Sequence, residues 1–140
     1  MSGRYFLDTN IFLYSLDRKS PAKARKAQAL IRDALTTRNG VVSYQVVQEF
    51  LNAALRRFDD VMRPDEAQQY LSSVLRPLLA VHSSPALFAE ALQITQRLKF
   101  SWYDSLIVAA ALEAECEVLY SEDLQHGQKI SGLTVRNPFS

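Results

Sequence analysis

Cysteine occurs once in the 140 residues, as Cys116, which excludes an internal disulfide and a cysteine-built zinc centre. Glycine is scarce, with four in the chain, and no Gly-x-Gly-x-x-Gly follows the first apolar run at Phe6-Leu7. A dinucleotide-binding turn is thereby excluded. Charge of one sign is also missing: 16 basic residues against 15 acidic leave a net charge of +1. No global basic field is available to drive non-specific nucleic-acid binding, although one face could still bind RNA. The longest apolar runs, such as Leu106–Leu112, fall far short of the ~20 residues that span a bilayer. The Met-Ser-Gly-Arg start has neither the apolar stretch nor the small-residue cleavage site of a secretory signal. These absences lead us to expect a reduced, cytoplasmic protein with no membrane association.

What is present is ordinarily globular, with 48% hydrophobic and 22% charged residues. The length suits one domain of roughly 100–200 residues, so residues 1–140 are expected to form a single unit. Arg4-Tyr5-Phe6-Leu7 reads as a buried strand, and Ile11–Tyr14 begins a short helix. Ser20-Pro21 is a helix-start signal. After it, Ala27, Leu30, Ile31, Ala34 and Leu35 share one face, and Asn39-Gly40 reads as the stop. Val41–Tyr44 is a second strand, followed by a helix from Gln45 to about Phe58. Pro64 opens another helix with Ala67, Tyr70, Leu71, Val74 and Leu75 on its apolar side. Leu78–His82 is a candidate strand. Helices follow from Ser84-Pro85 to Leu98 and from Trp102 to Glu115. Val118–Ser121 and Leu133–Val135 read as the last strands. Strands alternating with helices of this length predict an α/β fold with a central, mainly parallel sheet in an α/β/α sandwich.

In such sheets, ligands bind beyond the carboxyl ends of the strands. Asp8 directly follows the first strand and Asp123 lies just past Val118–Ser121. Glu49 falls in the early turns of the helix after Tyr44, and Asp104 begins the Trp102 helix. Glu49 and Asp104 are embedded among apolar neighbours, where an acid is costly unless it is paired or binds a cation. Four acids at one sheet edge would repel one another without such an ion, and carboxylate oxygens prefer hard ions such as Mg²⁺ or Mn²⁺. One or two ions held in this way suit phosphodiester hydrolysis by an activated water. Asn10 and Ser121 are placed to orient the carboxylates.

Asp8-Thr9-Asn10 after a strand, Glu49 in Val-Gln-Glu-Phe, Asp104 in Tyr-Asp-Ser-Leu-Ile-Val-Ala-Ala-Ala, and Ser121-Glu122-Asp123-Leu together resemble the PIN-domain ribonucleases, closest to VapC-type toxins of bacterial toxin–antitoxin pairs. The likeness runs from Arg4 to Phe139, nearly the whole chain. It implies an endoribonuclease that uses Mg²⁺ or Mn²⁺ and leaves a 5′-phosphate and a 3′-hydroxyl. It also implies metal ligation by Asp8, Glu49, Asp104 and Asp123, with Asp8 and Asp104 the direct ligands and Asn10 and Ser121 in support. Its implied partners are an RNA substrate, a small cognate antitoxin and a second copy in a homodimer, for which Tyr70 and Phe88 are candidate contacts if exposed.

Other readings stand beside these. Asp8 could simply cap the next helix, Glu122 could be the working carboxylate in place of Asp123, and His126 could contact RNA or lie in solvent. Arg18, Lys19 and Lys23, with Arg25 and Lys26, form either a phosphate-contacting face or a solvated one. Arg97, Lys99 and Trp102 are a second RNA-binding candidate, with Trp102 either stacking on a base or filling the core or an interface. Cys116 and His82 read as structural. A phosphoacceptor signalling domain would need an aspartate at the end of the middle strand, where this chain has Ser43-Tyr44. A binding-only PIN module, acting as an RNA or protein scaffold without turnover, is the alternative to the nuclease.

Overall fold

The computed structural model describes residues 3–56 and 62–140. Its first half runs β1 (Tyr5–Leu7), α1 (Thr9–Ser15), α2 (Pro21–Thr37), β2 (Gly40–Ser43), α3 (Tyr44–Arg56) and α4 (Pro64–Tyr70). The last of these widens through a π turn at Leu71–Leu75 into α5 (Arg76–Leu78). Pro77 has no N–H to donate one turn back, which favours such a widened turn just before it. There follow β3 (Leu79–Val81), α6 (Pro85–Leu98), α7 (Trp102–Glu113), β4 (Val118–Tyr120), β5 (Lys129–Ile130) and β6 (Leu133–Arg136).

The strands form one sheet in the order β3-β2-β1-β4-β6-β5, parallel throughout except for the β5–β6 pair. Helices flank it, as the α/β/α expectation requires. The chain steps from β1 outward to β2 and β3, then returns to place β4 on the other side of β1. This reversal opens a crevice at the carboxyl ends of β1 and β4, the place where ligands bind in open α/β sheets.

Most elements lie where the residue pattern puts them, and the departures have local causes. Tyr44, expected to end the second strand, is the first residue of α3, and the Ser43 hydroxyl accepts from the Val46 N–H at the junction. The last long helix ends at Glu113 rather than Glu115, because Glu115 turns into the left-handed region at φ 59°. The two-residue β5 is too short to show any period. The expected helix end near Phe58 lies outside the described residues, as does the acidic pair Asp59-Asp60.

Packing explains the rest of the pattern. Every residue of α7 from Ser105 to Ala111 is buried, so this helix is apolar all round and runs through the core. The Ser105 hydroxyl, the polar exception, is paired with that of Thr95 at 2.7 Å. Phe50 meets Phe12 edge-on at 6.2 Å and stacks on Tyr70 at 5.0 Å. Tyr70 is therefore part of the core margin and not an exposed candidate for a dimer contact. Phe88, by contrast, is exposed.

Asn39-Gly40 does not end α2 in the expected way. The left-handed cap is Arg38, at φ 65°, and Gly40 opens β2 as a fully buried residue. Glycine is needed there for closeness: a Cβ would lie 2.2 Å from the Ala34 Cβ and 2.8 Å from the Tyr5 ring. The Ala34 Cα, only 3.0 Å from that point, belongs to rigid helix backbone, so α2 would have to lift off the sheet. Gly40→Ala is expected to destabilise the fold by about 1–3 kcal/mol through overpacking, read as a lower urea midpoint with unchanged slope. An unchanged midpoint would show that α2 is free to slide.

Candidate functional site

The acids converge because three parallel strands end on the same edge. β1 delivers Asp8, β2 leads directly into α3 and Glu49, and β4 leads to Ser121 and Asp123. Asp104 arrives from the first turn of α7, whose start is fixed by the Ser101 hydroxyl accepting from the Asp104 N–H. Asp8, Glu49, Asp104 and Asp123 all line one cleft of about 300 Å³, together with Asn10. The sheet edge thus gathers all four acids singled out in the sequence.

Asp8 is buried, with 5% of its surface exposed. Its Oδ1 accepts from the Thr9 N–H at 2.7 Å, so it does cap α1, and its Oδ2 accepts from the Ser121 hydroxyl at 2.8 Å. Ser121 Oγ in turn accepts from the Asp123 N–H at 3.1 Å. The Asn10 side-chain amide reaches both Asp123 oxygens, at 3.3 and 3.4 Å. Asn10 and Ser121 therefore touch the carboxylates they were expected to orient.

Glu49 is held by two residues that the sequence did not single out. Thr9 Oγ1 donates to its Oε1 at 2.8 Å, and Gln45 Nε2 donates to its Oε2 at 3.3 Å. Gln45 was recognisable in principle, since it stands one helical turn before Glu49. Thr9 was not, because a hydroxyl between Asp8 and Asn10 gives no hint of a partner 40 residues away.

Burial pushes the Asp8 carboxyl up to about 6; the bonds from Ser121 and Thr9 oppose the rise, and the charges of Asp123 and Glu49 add to it. Asp123 is also raised, first by burial and then by the charges of Asp104, Glu122 and Glu49, with the Asn10 bond opposing. No lysine or arginine is among the described residues lining the cleft. An oxygen-only, mutually repelling donor set of this kind fits a hard divalent cation. Among the described residues no three acids close on one point as a ready-made cage. Mg²⁺, which keeps several waters and takes only one or two carboxylates directly, is compatible with that spacing.

Glu122 faces away from this cleft. The Tyr14 hydroxyl donates to its Oε1 at 2.8 Å, and Lys23 pairs with its Oε2 at 3.5 Å. Lys23, expected on an RNA-contacting face, also lies 4.6 Å over the Tyr14 ring, so its charge is engaged within the protein. Arg18, Lys19, Arg97 and Lys99 are exposed and do not line the cleft, and Trp102 is half-buried against Phe88. His126 accepts from the Asn137 N–H through Nδ1, which gives it a structural role in the loop before β5. Cys116 is buried, and His82 lies edge-on to Tyr44.

Comparison with known proteins agrees with this architecture. Among solved structures, a toxin–antitoxin complex from Klebsiella pneumoniae superposes with a TM-score of 0.66 at 19% identity, covering 96% of this chain and 97% of that one. The VapBC2 complex from Rickettsia felis, bound to a DNA fragment from its promoter, gives 0.63 at 17% identity over 95% and 97% of the two chains. A sarcin–ricin-loop-cleaving VapC toxin from Mycobacterium tuberculosis gives 0.58 at 18% identity over 84% and 88%. No curated protein matches the sequence significantly. The family pattern described as the PIN domain matches residues 5–129, and the chain belongs to the PIN domain family.

Proposed function

We propose that this chain is a divalent-metal-dependent endoribonuclease and the toxin of a type II toxin–antitoxin pair. On this reading residues 1–140 act as a single nuclease domain that hydrolyses RNA phosphodiesters to leave 5′-phosphate and 3′-hydroxyl ends. The observation that carries the reading is the convergence of four carboxylates from four elements on one cleft whose described lining holds no basic residue. The similar toxin–antitoxin structures support a small antitoxin as partner, and one of those relatives cleaves the sarcin–ricin loop. A homodimer and a cytoplasmic location complete the proposal. Among the described residues no helix is long and apolar enough to cross a membrane.

Asp8 and Asp104 would ligate the ion, Mg²⁺ or Mn²⁺, directly, with Glu49 and Asp123 completing the acidic set. When bound, it supplies Lewis-acid stabilisation of the phosphoryl oxygens and lowers the pKa of water. The protein's own work is positioning. Ser121 and Thr9 fix both Asp8 oxygens, so this carboxylate cannot rotate away from the cleft. Thr9 and Gln45 do the same for Glu49, and Asn10 for Asp123. Preorganised donors of this kind need not be reordered at the moment of reaction.

Incubation of total RNA with the isolated chain and Mg²⁺ or Mn²⁺ is expected to give discrete fragments that disappear with EDTA. Asp8→Asn should lower the cleavage rate by at least about 100-fold. Intact RNA from a protein that demonstrably binds the ion would favour the binding-only alternative.

A stability measurement tests the same site without RNA. The Asp8 carboxyl ordinarily titrates near 3.8 and is raised to about 6 in the fold. Between those values the native state binds more protons than the unfolded one, so stability falls as pH rises through that window. The cost is complete above about pH 6 and amounts to about 3 kcal/mol. Asn keeps the Thr9 cap and carries no charge, and Ser121 Oγ can accept from its amide where it now donates to Asp8 Oδ2. In EDTA, Asp8→Asn should therefore have a higher urea midpoint than the parent at pH 7.5, with the advantage shrinking toward pH 4. Added Mg²⁺ should then raise the parent's midpoint and leave that of Asp8→Asn nearly unchanged. An equal or lower midpoint for the variant at pH 7.5 in EDTA would contradict a costly buried charge.

A further inference from the structure

A second cavity, of about 330 Å³, opens beside the acidic cleft. Five rings line it: Tyr44, His82, Phe88, Trp102 and Tyr103. They come from both sides. Tyr44 stands at the start of α3 and meets His82 edge-on at 4.4 Å, while Phe88 of α6 and Trp102 of α7 lie 6.1 Å apart. Tyr44, Phe88 and Tyr103 are exposed, at 43%, 41% and 63%. Gln45, Gln48 and Ser83 add hydrogen-bonding groups among the rings.

The two cavities share a wall. Gln45 and Tyr103 line both, and the Gln45 amide donates to Glu49 Oε2 at 3.3 Å and to the Tyr103 carbonyl at 3.2 Å. A ligand in the aromatic cavity is thus one side chain away from a carboxylate of the acidic cleft. Aromatic walls with a few polar groups suit a flat ring that carries donors and acceptors on its edge, which is the chemistry of a nucleobase. A purely apolar partner would leave Gln48 and Ser83 without bonds when it buried them.

We propose that the aromatic cavity between Tyr44, Phe88 and Tyr103 is a nucleobase subsite, seating one unpaired base of an RNA whose backbone lies in the acidic cleft. This rests on the nuclease reading for the identity of the strand. Stacking on the rings supplies affinity, and Gln48 and Ser83 read the base edge. The subsite selects for single-stranded or splayed-out substrate, because a base paired within a helix cannot enter it.

The test uses the full chain with Asp8 intact and Ca²⁺ in place of Mg²⁺, an ion that oxygen ligands also hold, and a pool of short single-stranded RNAs with one 2-aminopurine in otherwise random sequence. Stacking of 2-aminopurine on the rings is expected to quench its fluorescence on binding. Tyr44→Ala and Phe88→Ala should each weaken binding by roughly tenfold and reduce the quench. Leu92→Ala alters a side chain that is 59% exposed but outside the cavity, and should change neither. Circular dichroism and the Mg²⁺-induced shift in urea midpoint verify that the variants keep their fold and acidic cleft.

Unchanged affinity and quench in folded Tyr44→Ala and Phe88→Ala proteins would overturn the subsite. So would variants that alter only the oligomeric state, since the cavity would then be covered by a second copy. The failures separate cleanly. Quenched RNA that the parent never cuts would sink the nuclease and leave the subsite standing. Cleavage with unchanged KM in Tyr44→Ala and Phe88→Ala would sink the subsite and leave the nuclease.

Discussion

The Ser121 hydroxyl sits between the ends of two strands and serves both. It donates to the buried Asp8 carboxylate and accepts from the Asp123 backbone, while the Asp8 N–H bonds to the Tyr120 carbonyl. The carboxyl ends of β1 and β4 are stitched at the point where the sheet order reverses. With this bond in place, one acid faces the crevice from each side. Without it, Asp8 would be a buried carboxylate short of a donor, which is costly in a low-dielectric interior. A hydroxyl so placed explains why a small polar residue is fully buried at the sheet edge.

The same cluster is a place where stability is given up. A core acid raised toward neutrality, with three more carboxylates around the same cleft, is a poor arrangement for folding. The hydrogen bonds from Thr9, Asn10, Gln45 and Ser121 hold the carboxylates in position and reduce the cost, but they do not cancel their repulsion. Clusters of perturbed acids of this kind concentrate at working sites, since a cation that binds only the folded form recovers the loss.

The surroundings divide charge and aromatic surface unequally. Lys23 is engaged by Glu122, Tyr14 and the Phe139 ring, with Phe139 itself packed edge-on against Tyr14 at 4.8 Å. The C-terminal segment is thereby tied to α1 and α2, and one basic side chain is turned to structural use. Exposed rings gather beside the acidic cleft, where Gln45 bridges Glu49 and the Tyr103 backbone. Aromatic surface thus adjoins the acidic cleft through Gln45 and Tyr103, which line both cavities.

Much of this was readable from residue order alone. An apolar strand run ending at Asp8, a second over Val118–Ser121 (one residue longer than the strand that forms), proline-opened helices, and acids at matching positions were enough to anticipate a parallel sheet with a carboxylate cleft at one edge. Strand polarity and helix period are local properties, and local chemistry encodes them. Contacts between distant segments are not encoded in that way. Nothing in the pattern announced that Thr9 would reach Glu49, that Glu122 would turn to Lys23 while Asp123 turned inward, or that Gly40 answers the approach of Ala34 rather than a helix end. Tyr70 and Phe88 look alike as aromatic residues on amphipathic helices, yet one stacks on Phe50 and the other lines an open cavity. Such outcomes follow from which surfaces meet when helices close over the sheet. A one-dimensional pattern carries the identity of each face, but the meeting of faces exists only in three dimensions.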